Sequence, residues 1–93
     1  MVSGKTSTGF EYEIDERAAN DWRFVKALAD ADSDDESRQI SGTASLVPLL
    51  LSETGEKALM RHIAEQEDGF VPTTRVLSEI TEMLTKIRTE IKN

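Results

Sequence analysis

The chain has 93 residues, 38% hydrophobic and 31% charged, which provides for one modest core and not for two. Eighteen acidic residues against eleven basic ones leave a net charge of −7, a surface that repels phosphate backbones and anionic lipid and so argues against nucleic acid and membranes as partners. No cysteine is present, which excludes disulfide stapling, thiolate catalysis and Cys-based zinc sites.

Residues 1–14 read as a β-hairpin. Phe10, Glu11, Tyr12, Glu13 and Ile14 alternate apolar and acidic, the period of a half-buried strand, and Val2 to Thr6 is its nearest partner through Ser7, Thr8 and Gly9. The opening stretch has neither the apolar run of a signal peptide nor the Arg-rich pattern of a transit peptide, which predicts a protein that stays where it is made. Asp15 is a candidate N-cap for a helix over 15–31, with Ala18, Trp22, Val25, Leu28 and Ala29 recurring at helical steps. The acids from Asp30 to Glu36 sit badly at a helix C-terminus, so residues 32–42 are expected to form an exposed acidic loop.

A short buried helix follows over 43–52, capped by Thr43 or Ser45, with Pro48 in its first turn and Leu46, Val47, Leu49, Leu50 and Leu51 apolar nearly all round. The next helix, 54–66, carries Ala58, Leu59, His62 and Ile63 on one side and Glu56, Lys57, Arg61 and Glu65 on the other. Glu67, Asp68 and Gly69 make a turn, and Phe70, Val71 and Pro72 lead extended into a last helix over 73–91. There Leu77, Ile80, Leu84, Ile87 and Ile91 form a two-heptad seam, and Glu82 with Lys86 is an i, i+4 pair in the favourable order. The fold class is therefore mainly α, a single domain with an N-terminal β-hairpin followed by a small bundle of about four helices. Its expected core is Trp22, Val25, Leu28, Leu46, Leu50, Leu59, Ile63, Leu77, Ile80 and Leu84.

The candidates for chemistry are thin. Asp30, Asp32 and Asp34 match the first ligand positions of a calcium loop, but Asp35 stands where the turn glycine belongs and Ser41 where the bidentate glutamate belongs, so no metal is expected. His62 lies beside apolar residues without a nucleophile at a recognisable spacing and reads as a core-edge histidine. Phosphate-cradling glycine motifs, a nucleophile elbow and the HExxH pattern are absent, and neither enzyme activity nor a cofactor is expected.

The apolar seam of the last helix outruns what one small core covers. Phe70, Val71, Ile87 and Ile91 are therefore the expected partner-binding anchors, serving either a homo-oligomer or a client helix read at i, i+4, i+7.

The stretches TGFEYEIDE (Thr8 to Glu16), DWRFVKALADAD (Asp21 to Asp32) and LVPLLLSETGEKAL through EDGFVPTTRVLSEITEML (Leu46 to Leu84) resemble the small tail assembly chaperones of long-tailed, non-contractile bacteriophages, the siphophage tail assembly chaperone family. The resemblance implies a non-enzymatic role in the host cytoplasm. Such proteins coat the tape measure protein, keep it soluble, recruit the major tail tube protein and leave before the tail is finished, so the chain would be missing from the mature virion. The competing expectations are a structural head–tail joining or tail completion protein, and a small acidic adaptor for a host protein.

Overall fold

Alternation at the N-terminus produces the hairpin. In the computed structural model, which describes residues 2–91 with side chains as far as Ile87, β1 (Val2–Lys5) pairs antiparallel with β2 (Glu11–Ile14), Val2 opposite Ile14 and Lys5 opposite Glu11. Phe10, Tyr12 and Ile14 share the buried face with Val2 and Thr6. The connection closes through Thr6 N–H to Phe10 O at 2.9 Å, with Gly9 at φ 95°, a conformation that glycine takes without a steric penalty.

The helix expected over 15–31 is divided. Asp15 caps only a 3-10 turn (Glu16–Asn20), and Asp21 starts α1 (Trp22–Ala31) afresh. Both caps use one device, Asp-x-Arg. Each carboxylate accepts the backbone N–H two residues on and pairs with that arginine's guanidinium, which holds Asp15 and Asp21 at about 2. The restart breaks the expected periodicity. Trp22, 70% exposed, and Val25 face outward, while Phe24 and Ala27 turn into the core with Leu28 and Ala31 half-buried beside them.

The acidic loop expected over 32–42 shrinks to a short connection, because α2 (Glu36–Gln66) begins inside it. The acids that repel the C-terminus of α1 favour the N-terminus of α2: the Asp35 carboxylate accepts Ser37 N–H at 3.0 Å, and Glu36 lies at the positive end of the dipole. Arg38 reaches back to Asp30 at 3.0 Å. Pro48 is thus interior to α2 rather than in a first turn. Gly42 is buried against α1, where a Cβ would lie 2.4 Å from Ala31 N and 2.7 Å from Ala27 O, so this αα-hairpin closes only over a glycine.

At Ser52, with φ 66° and ψ 173°, α2 breaks into segments 36–51 and 53–66. Such a conformation is costly for a residue with a Cβ, and Ser52 Oγ, accepting Gly55 N–H at 3.4 Å, caps the second segment. A turn with Asp68 and Gly69 at positive φ leads to α3 (Thr73–Ile91). The fold is accordingly mainly α, an N-terminal hairpin followed by three helices, the second of them in two segments. Ile14, Leu46, Leu59, Ile63 and Met83 are wholly buried at its centre. Of the remaining expected core residues Leu50 and Ile80 are buried, Leu84 is half-buried against the cluster, and Leu77 is half-buried. The buried face of α3 is Glu79, Ile80, Met83 and Ile87 with Val76 beside it, rotated from the expected seam.

Candidate functional site

The break at Ser52 has a geometric consequence. Both segments of α2, the start of α3 and the connection before it line a groove of about 240 Å3. Ile40, Ala44 and Val47 supply one wall from the first segment, Glu56 and Met60 a second, and Val71, Val76 and Leu77 the third. Ile40 remains 45% exposed and Phe70, next to the groove residue Val71, 67% exposed. The volume is below the roughly 300 Å3 at which pockets for small organic ligands begin. It suits a pair of inserted side chains.

Of the expected anchors Val71 lines this groove, and Phe70 is exposed in the turn immediately before it. Ile87 does not: it is 3% exposed and belongs to the core. The side chain of Ile91 lies outside the described residues. The supply argument failed at Ile87 because the β-hairpin lies along α3, anchored to it at Glu79 and Glu82, and so closes over the distal stripe that the helices alone leave bare. Glu82 accepts both the backbone N–H and the hydroxyl of Ser7, at 2.9 and 2.8 Å.

A second cluster sits under the hairpin tip. Thr8 Oγ1 donates to Glu79 Oε2 at 2.5 Å and lies 3.1 Å from both Thr6 Oγ1 and His62 Nε2. A hydroxyl has one proton, so with Thr8 donating to Glu79 the His62 contact is a donor to Thr8 and places a proton on Nε2. Glu79 is fully buried, and its Oε1 has no hydrogen-bond partner among the described residues. Burial acts to raise its pKa, but the hydroxyls of Thr8 and Thr6 and the Arg75 guanidinium outweigh this and hold the carboxyl below its ordinary value. Arg75 bridges Glu79 at 3.2 Å and Glu67 at 2.8 Å, and donates to Gln66 Oε1 at 2.8 Å. Thr8, His62 and Glu79 do not form a nucleophilic triad, since the carboxylate bonds the hydroxyl and not the second imidazole nitrogen. The arrangement is a latch that fixes the hairpin to α2 and α3.

Comparison of the chain with protein-family models, with curated proteins and with solved structures gives no match. The site therefore rests on its own geometry.

His62 is half-buried against the Phe10 ring, centroids 5.5 Å apart, at the edge of the core as its neighbours suggest. Asp32 ends α1, and Asp30 pairs with Arg38. No group of three or more His, Asp or Glu suited to a metal occurs among the described residues, nor is any described helix long and apolar enough to cross a membrane. Sequence reasoning missed Glu79 and the groove. The signal for Glu79 was present, since position 79 falls between Val76, Ile80 and Met83 on one helical face.

Proposed function

We propose that the chain is a non-enzymatic tail assembly chaperone of a bacteriophage, which holds apolar helical segments of a tape measure protein in solution in the host cytoplasm and helps recruit tail tube subunits. One observation carries the reading: the open apolar groove between the segments of α2 and α3, with Ile40 exposed in it and Phe70 exposed in the turn beside Val71. An exposed apolar patch of this kind on a small monomer is a binding surface. The net charge of −7 supplies solubility to a complex whose client supplies none. The resemblance of the hairpin, the Trp-containing helix and the final amphipathic helix to that family supports the same assignment.

Co-expression with the tape measure chain of the same phage tests it. The wild type should move that chain into the soluble fraction, and Ile40→Glu combined with Phe70→Ser should abolish the effect while the variant stays folded by circular dichroism. An unchanged soluble fraction with the wild type overturns the proposal. So does finding the protein at fixed stoichiometry in purified virions, which identifies a structural subunit.

A further inference from the structure

One charged residue in the groove has no explanation within the fold. Glu56 is half-buried on the wall it shares with Met60, facing a groove otherwise lined by apolar residues and two threonines, and it makes no hydrogen bond or ion pair with any described residue. No basic residue is among the described residues lining the groove. Glu53, one turn back on the same helix face, carries the negative charge on toward solvent.

We infer that the groove takes one face of an amphipathic helix bearing a lysine or arginine, whose cation pairs with Glu56 while its apolar side chains enter between Ile40 and Met60. The inference rests on the docking role proposed above and names the chemistry of the occupant. A carboxylate on an apolar wall is tolerated while water reaches it, and covering it with a purely apolar helix strands a charge, whereas a cation on the incoming helix compensates it. A second copy of this chain is a poor occupant, because two surfaces of net charge −7 repel at the encounter. A small metabolite finds too little enclosed volume. Glu56 thus acts as a selector: it contributes little to affinity and much to the choice of partner.

Two fluorescein-labelled helical peptides of about 18 residues test this, with identical leucine faces and flanked by lysines in one and by glutamates in the other. Anisotropy titration of the wild type should favour the lysine peptide by about tenfold or more at low salt, a preference that shrinks at about 0.5 M NaCl. Glu56→Lys should reverse the order of the two peptides, and Ile40→Glu should abolish binding of both. If Ile40→Glu abolishes binding but Glu56→Lys leaves the ratio unchanged, the charge inference falls and the groove stands. If the wild type binds neither peptide, or Ile40→Glu binds as the wild type does, the groove falls as well. A wild-type dimer in sedimentation that Ile40→Glu dissociates makes a second copy the occupant and overturns the inference.

Discussion

The two halves of α3 carry the same kind of amphipathic pattern and meet opposite fates. The distal half puts Met83 and Ile87 into the core, because the hairpin lies over them and is tied down at Ser7, Thr8, Glu79 and Glu82. The first turn, with Val76 and Leu77, faces a groove that no described element fills. Periodicity makes an apolar face in both cases. Whether that face becomes core or binding surface depends on the element that crosses it, and here the crossing element is 75 residues away in sequence, as the Ser7 to Glu82 contact measures.

Truncation separates the halves most sharply. Ile87→Ala should cost about 2–5 kcal/mol in urea unfolding, as removal of a buried aliphatic side chain does, while Ile40→Ala at the groove margin should cost under about 0.5 kcal/mol. Equal losses would mean that the groove is closed in solution. The next effect concerns the latch that holds the hairpin over the distal half. Glu79→Gln should lose about 1–3 kcal/mol at neutral pH, since Arg75 loses a buried partner.

The same latch sets a pH dependence. The carboxyl of Glu79 is held below its ordinary 4.5, so its contribution is fully present above that value and lost as pH falls through the lower folded value. Asp15 and Asp21, held at about 2 by Arg17 and Arg23, have the same sign further down. Urea unfolding between pH 5 and about pH 3 should therefore fall less steeply for Glu79→Gln than for the wild type. Parallel curves would remove Glu79 from the stability balance.

The smallest effect tests the bend that opens the groove. Ser52→Gly releases a conformation costing about 1–3 kcal/mol, offset by the greater freedom of glycine in the unfolded chain and a slightly weaker cap. A net gain of about 1 kcal/mol is expected, against a loss for Ser52→Ala, which keeps the strain and discards the capping oxygen. If both variants are less stable than the wild type, the bend is not strained and the groove is not held open at that residue.

Much of this was legible in the residues. The alternation from Phe10 to Ile14 placed three side chains on one buried face, and Leu46, Leu50, Leu59 and Ile63 followed from helical spacing. Phe70 was legible as exposed because it sits in a turn between helices. The misreadings share a cause. A period running from Ala18 points Trp22 and Val25 inward, but Asp21 caps a new helix and resets the phase. The acids at 32–36 were read as the end of one helix when they are also the start of another, because the dipole argument applies with opposite sign on their two sides.

What the sequence by itself determined is local: which residues share a face, where an aspartate caps a turn, and a net charge of −7. Tertiary structure alone decided what covers each face. It placed the hairpin over Ile87, buried Glu79 beneath Thr8, brought Gly42 onto the α1 backbone and left Val76 and Leu77 beside an open groove. The physical reason is that periodicity is a property of neighbours along the chain, whereas burial is a property of neighbours in space, and in a molecule this small one two-stranded hairpin decides which apolar stripe has them.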